Sequence, residues 1–312
     1  MSRSILVLRA LGLGDLLTAV PALRGLRAAY PADRVVLAAP EGLRDLVELI
    51  DAVDELLPTA GLGALPQLEP PRLAVNLHGS GPESIRDLRA VGADELLTHR
   101  HPDFPELPGP EWNPDLHEVD RWCRLLAYSG IDADPAALRL PEPPGPPVES
   151  NVVVLHPGAA YPARRWPVDR FARVARELTA EGHRVVLTGS PAEVPLATAV
   201  AEQAELPPDT VYAGRTGLAE LAALVAAAAL VVCGDTGVGH LATAFGTPSV
   251  LIFGPTPPAR WGPPAAAQHR TLWAGRVGDP HGDQPDPGLL MVRPEHVLTA
   301  ASGLLGEKVR HG

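Results

Sequence analysis

Short apolar runs alternate along the chain with longer stretches in which apolar positions recur every three or four residues. Ile5–Leu8 has no polar break, the pattern of a strand buried on both faces, and Leu16, Val20, Leu23 and Leu26 then mark one side of a helix over Leu16–Ala29. The same alternation predicts strand Val35–Ala38, helix Leu43–Ile50, strand Leu73–Leu77 and helices Glu83–Ala90 and Glu118–Ser129. Strands alternating with helices predict a parallel sheet covered on both faces. Pro141–Pro147 holds five prolines in seven residues, which excludes a helix or an inner strand and predicts an extended linker. The α/β pattern then restarts with strand Val152–Leu155, helix Val168–Glu181, strand Val185–Thr188, helices Glu193–Ala204 and Leu218–Ala228, strand Leu230–Val232, helix Gly239–Phe245 and strand Ser249–Phe253. A loop rich in Pro, Gly and Asp (residues 278–288) precedes a last helix, Pro294–Leu305. Two α/β domains with a hinge predict a cleft, with ligands outside the carboxyl ends of the strands.

Composition narrows the classes. The 312 residues fit two domains at roughly 150 residues each. A hydrophobic content of 46% is enough for proper cores and excludes global disorder. The net charge of −11 makes nucleic acid and anionic membranes poor partners. That charge is uneven: residues 1–147 carry 13 basic and 22 acidic side chains (net −9), residues 148–312 carry 13 and 15 (net −2). Of the 26 basic residues only Lys308 is a lysine, so any site that needs a cation must use arginine. Cys123 and Cys233 lie too far apart for a CxxC motif, so neither a disulfide framework nor a cysteine zinc site is expected. With no signal-type h-region and no uninterrupted apolar run of 18 residues, a soluble cytoplasmic protein is expected, contact with a membrane surface staying open.

Four loops carry candidate chemistry, each after a predicted strand. Arg9-Ala-Leu-Gly-Leu-Gly-Asp15 follows the first; Gly12 and Gly14 permit a tight turn, but Leu17 stands where a dinucleotide fingerprint needs glycine, and no Lys-Ser/Thr follows as in a Walker loop. Asp15, expected at a loop tip, reads either as a helix cap or as a general base facing the cleft. His156-Pro-Gly158 leads to Arg164-Arg165-Trp166-Pro167, where two guanidinium forks suit phosphate and read equally as a solvated surface pair beside a tucked Trp. Gly234-Asp235-Thr236-Gly237-Val238-Gly239-His240 opens a helix, whose free N–H groups at Thr236 and Gly237 would cradle phosphate and leave Asp235 for sugar hydroxyls. His240, one turn inside, reads as a ligand contact or as packing at the helix start. Phe253-Gly-Pro-Thr256 runs on to Arg260-Trp261-Gly-Pro263, a cleft loop or simply a proline-stiffened one.

Together these motifs resemble glycosyltransferase family 9, the ADP-heptose:lipopolysaccharide heptosyltransferase family. The resemblance spans nearly the whole chain: GLGDLL with PAL in the helix, HPGA then RRWP and Phe171, DTGVGH, FGPT with RWGP, and a closing RPEHV helix. It implies a GT-B fold, two Rossmann-like parallel-sheet domains facing a cleft: residues 1–147 binding the acceptor, residues 148–293 binding the nucleotide sugar, and the helix over 294–306 packing back on the first domain. It implies an inverting transfer without a metal or other cofactor, from a nucleotide-diphosphate sugar such as ADP-heptose to a saccharide or glycolipid hydroxyl. Asp15 falls where the family has its proposed base. Arg164 falls where many members have a lysine on the pyrophosphate, with Arg165 beside it. Thr236 and Gly237 match residues around the diphosphate, Asp235 a sugar contact, His240 the family histidine, and Glu193 an acidic residue contacting the ribose. Thr256 is expected with the donor; Gly14, Arg9 and Arg121 are expected with the acceptor. Leu289-Leu-Met-Val departs from members that carry cysteines there.

The implied reaction is a single displacement. The acceptor oxygen attacks the anomeric carbon as Asp15 takes its proton, and the diphosphate leaves toward Arg164, Thr236 and the helix N-terminus. The rivals are a sugar-nucleotide epimerase or hydrolase on the same fold, and a nucleotide-sugar-binding protein without catalysis. The acidic first half favours a neutral or amine-bearing acceptor, such as a secondary-metabolite sugar, although Arg9, Arg86, Arg89 and Arg121 can still build a cationic pocket within it.

Overall fold

The computed structural model describes residues 4–311, which divide into two compact units on either side of the boundary between Leu140 and Pro141. The proline segment therefore opens the second unit. The first unit runs β1 (Ser4–Leu8), α1 (Leu13–Ala29), β2 (Arg34–Ala39), α2 (Arg44–Val47), β3 (Glu55–Pro58), β4 (Leu73–Asn76), α3 (Glu83–Ala90), β5 (Glu95–Leu97) and α4 (Glu118–Tyr128). Its five strands are parallel in the order β3-β2-β1-β4-β5. The second unit runs β6 (Val153–His156), α5 (Val168–Ala180), β7 (Val185–Leu187), α6 (Val194–Gln203), α7 (Leu218–Ala226), β8 (Leu230–Gly234), α8 (Gly237–Phe245), β9 (Ser249–Ile252), α9 (Pro258–Trp261), β10 (His269–Leu272) and α10 (Pro294–His311). Its parallel order is β10-β9-β8-β6-β7.

The orders differ in kind. Counting strands within each unit, the first is 3-2-1-4-5 and the second 2-1-3-4-5, the two common doubly wound sheets. In each, strand order reverses beside the first strand: between β1 and β4, and between β6 and β8. Helices leave such a point toward opposite faces and open a crevice at the carboxyl ends of the strands. All four candidate loops begin at the carboxyl ends of β1, β6, β8 and β9.

The strands the apolar runs predict are all present. Three further ones are not legible as runs: β3, β5 and β10 are edge strands of three or four residues, paired on one side only, so they need little continuous apolar sequence. The helix expected over Leu43–Ile50 shortens to a 3-10 turn at Glu41–Leu43 and one α-turn, α2. Helix α1 begins three residues earlier than its apolar face indicates and is buried almost all round. A Cβ at its Gly25 would lie 2.7 Å from the Asp132 carbonyl oxygen, so glycine lets the chain beyond α4 cross α1 closely.

Val297, Ala301, Leu304 and Leu305 of α10 are buried in the core of the second unit, with Leu178 of α5, Val232 of β8 and Ile252 of β9. Its apolar face thus completes its own unit's core. Among the described residues, no helix is long and apolar enough to cross a membrane.

Candidate functional sites

In the first unit, Asp15 sits in the first turn of α1, at the helix start where the sequence places it. Its Oδ2 accepts the Gly12 N–H at 3.2 Å, satisfying an open donor at the helix start. The cap reading is therefore correct as far as it goes, but it uses only one oxygen. Oδ1 faces Arg9 Nη2 at 3.3 Å, and the side chain keeps 28% of its surface open. Burial pushes the Asp15 carboxyl above its ordinary pKa; Arg9 pulls it down and Glu118 pushes it up again. A carboxylate of raised basicity that still reaches solvent suits a general base.

Arg9 does not suit the acceptor contact expected of it. It is fully buried, and its donors are taken: Nε to the Asp15 carbonyl (2.9 Å), Nη1 to the Leu77 carbonyl, and Nη2 to Asp15, Thr18 Oγ1 (3.2 Å) and Glu118 Oε1 (3.0 Å). Arg121 is buried as well, with Nε on Glu118 Oε2 (3.0 Å), its terminal nitrogens on the Asn113 and Leu116 carbonyls, and its guanidinium over Trp112 at 4.0 Å. Glu118, the first residue of α4, thus lies between two arginines and also accepts the Trp122 indole N–H at 3.0 Å. Burial opposes its ionisation, but Arg9 and Arg121 together hold its pKa below the ordinary value. The other two arginines of the expected cationic pocket are paired at the surface, Arg86 with Asp103 (3.4 Å) and Arg89 with Glu106 (2.8 Å). The four do not form a pocket of free charge. Gly14 is half-buried in the same first turn of α1 as Asp15.

Two histidines flank this cluster. His78, after β4, is shifted toward its neutral form by burial and by Arg9. His99, after β5, meets Trp112 and Trp122 edge-on with ring centroids 5.0 and 5.7 Å away, and burial followed by Arg121 lowers its pKa to about 4.

In the second unit, three of the loops and the turn after β7 converge. Arg164 ends a 3-10 turn, Pro162–Arg164, and places Nη1 3.8 Å from Asp235 Oδ2. Its Nε is buried with no hydrogen-bond partner among the described residues. A buried guanidinium N–H without an acceptor is costly unless something supplies one. Thr236 is the N-cap of α8 but its hydroxyl makes no cap bond, and Gly237 is the first helical residue. The helix thus presents open N–H groups beside Arg164 and Asp235, a setting that favours anions. His240 meets Trp261 of α9 edge-on at 5.9 Å. The hollow between Asp235, Thr236, His240 and Trp261 measures about 10 Å³, room for at most a single water. Thr256 follows β9, half-buried, just before α9.

Glu193 reaches this site from the turn after β7. Its Oε2 accepts both Ser190 N–H (2.8 Å) and Ser190 O–H (2.9 Å), and a Cβ at Gly158 would fall 2.1 Å from its Oε1. Glycine at 158 is what admits this carboxylate beside the β6 loop. Arg165 turns inward, its Nε on the Ala159 carbonyl at 2.8 Å, and so braces the loop. Trp166 is tucked, with its N–H on the Val292 carbonyl at 2.9 Å. The loop over residues 278–288 clasps this one: Ala163 N–H donates to the Gly282 carbonyl, Asp286 N–H to the Ala163 carbonyl, and Tyr161 meets His281 edge-on at 4.7 Å. Sequence reading missed Glu118 and this clasp. Glu118 does leave a faint signal, an acid one turn before both Arg121 and Trp122. Among the described residues, no group of three His, Cys, Asp or Glu could hold a metal ion.

Two doubly wound units, with candidate loops at the switch point of each sheet, have the GT-B fold. Solved structures share this fold: a glycosyl transferase of family 9 from Veillonella parvula (TM-score 0.80, 23% identity, covering 98% of this chain and 97% of that one) and the ADP-heptose LPS heptosyltransferase II of E. coli (TM-score 0.77, 22% identity, 98% and 99%). Lipopolysaccharide heptosyltransferase 2 of Salmonella typhimurium is 28% identical over 97% of this chain and 99% of its own length. The family model for glycosyltransferase family 9 (heptosyltransferase) matches residues 112–285, more than half the chain, and the protein belongs to that family.

Proposed function

We propose that this glycosyltransferase moves heptose from ADP-heptose to a hydroxyl of a saccharide or glycolipid acceptor, with inversion and without a metal. The names of its relatives support the donor: the Salmonella and E. coli proteins are heptosyltransferases, the latter named for ADP-heptose. The observation that carries the reading is the buried, unpartnered Nε of Arg164 beside the open N-terminus of α8, which together offer the diphosphate fixed positive charge. In the step proposed, the acceptor oxygen bonds to the anomeric carbon while its proton passes to Asp15. The bond from that carbon to the diphosphate breaks, and ADP leaves with the electron pair toward Arg164 and α8. The first unit serves the acceptor and the second the donor. A neutral or amine-bearing acceptor fits best, because Arg9, Arg86, Arg89 and Arg121 are all engaged with carboxylates.

Calorimetric titration with ADP, UDP and GDP tests the donor; ADP is expected to bind at least about tenfold tighter, a difference of 1.4 kcal/mol. Equal weak binding of the three overturns the donor assignment. Asp15→Asn is expected to lower transfer by about 10²- to 10⁴-fold, the span of general-base catalysis, while ADP binding stays unchanged. Full activity in that variant overturns the base. Transfer lost in chelator overturns metal independence, and sugar released equally without acceptor marks a hydrolase.

A further inference from the structure

Glu118 has no part in the reaction as written, yet it accepts hydrogen bonds from Arg9, Arg121 and Trp122. It lies 109 residues from Arg9 in sequence and faces the same nitrogen, Nη2, that faces Asp15. The two contacts are unequal, 3.0 Å to Glu118 and 3.3 Å to Asp15. Arg9 is thus drawn away from Asp15 by a second carboxylate that Arg121 and Trp122 hold in place. An aspartate alone with a buried arginine would be locked in an ion pair and made a poor base. Two acids and two arginines make a cluster that is neutral while both acids are ionised, and one acid is left half-open.

We propose that Glu118 is a positioning residue for the transfer: by sharing Arg9 with Asp15 it fixes the Asp15 carboxylate on α1 and keeps it basic enough to take the acceptor proton. This rests on Asp15 being the base. The charged and titratable groups around Asp15 are Arg9 at the end of β1, Glu118 and Arg121 on α4, His78 after β4 and His99 after β5. Burial and the neighbouring arginines hold both imidazoles toward neutral, so on top of the larger effect of burial the charges that act on Asp15 are those of Arg9 and Glu118.

The test is the pH profile of kcat/KM for transfer. Its acid limb reports the free enzyme's base, which works only when deprotonated. In Glu118→Gln the like charge is gone and Arg9 turns wholly to Asp15, so the limb is expected to move to lower pH by about one unit. The plateau of kcat is expected to fall severalfold, with KM for the donor unchanged. Glu118→Asp keeps the charge and is expected to return the limb toward its original position. Arg121→Met frees Glu118 for Arg9, and is expected to move the limb the other way, to higher pH. A limb in Glu118→Gln that coincides with that of the unaltered protein overturns the proposal, even if activity falls. Where Glu118→Gln does not melt cooperatively, Arg121→Met decides: an upward shift supports the proposal, and no shift or a downward one overturns it. Asp15→Asn separates the two ideas. Its full activity removes the base reading and this inference together, whereas its loss with an unmoved limb in Glu118→Gln removes this inference alone.

Discussion

Arg9 and Arg164 both belong to loops at a sheet's switch point, and they are in opposite states. Arg9 has a protein acceptor for each of its three nitrogens and no exposed surface. Arg164 has one distant carboxylate, a buried Nε with no partner among the described residues, and 22% of its side chain open. The residue type is the same and so is the place in the topology. The difference lies in whether the fold itself supplies the anions. Where it does, the arginine is spent inside the protein; where it does not, a guanidinium N–H is left without an acceptor among the described residues.

The largest test of that contrast is stability. Arg9→Met leaves Glu118 and Asp15 buried without their shared cation, and is expected to cost about 3–5 kcal/mol in urea unfolding. Arg164→Met breaks a long ion pair to Asp235 and a 5.6 Å cation–π contact with Tyr161, both weak, and should leave the unfolding midpoint nearly unchanged. If both variants lose stability equally, the contrast fails. The next effect concerns acid. His99 has an unfolded pKa near 6.5 and a folded one of about 4, so between these values the unfolded chain binds more protons. Its contribution is complete above pH 6.5, falls as pH drops toward 4, and amounts to at most about 3 kcal/mol. Urea midpoints at pH 7 and 4.5 measure this, and His99→Gln should flatten the difference. In the second unit Arg164→Met is expected to weaken ADP about 10- to 100-fold, the worth of a charged hydrogen bond, by calorimetry. The smallest effect is at Gly158→Ala. The added methyl displaces the Glu193 carboxylate from Ser190, and the lost cap is expected to cost about 1 kcal/mol.

Sequence patterning reads the interior of each sheet well, because a strand buried on both faces must be apolar without a break. It reads three of the four edges poorly: Glu55–Pro58, Glu95–Leu97 and His269–Leu272 are short and carry polar residues, whereas the fourth edge, Val185–Leu187, is buried and wholly apolar. The same divide runs through the sites. Motifs local in the chain, such as the loop from Gly234 to His240, are legible because strand, turn and helix start are neighbours in sequence. Asp15 is legible as a position, but its environment is not, since the Arg9 beside it is held by Glu118 from α4 and by the carbonyl of Leu77, the residue after β4. Arginine as a residue type announces a capacity for anions and says nothing of which anion. Arg9 and Arg121 were for that reason expected on a substrate and are found on Glu118.

The place of α10 bears on how such proteins can be recombined. A last helix lodged in the other half would tie the two halves together, and neither could be exchanged without cutting the chain twice. Here the helix fills the core of the unit that precedes it, and each sheet is complete on its own side of Leu140. One crossover in the proline segment therefore carries over a whole second unit, core and loops together. Chimaeras made there with other members of the family would show whether donor preference travels with the second unit.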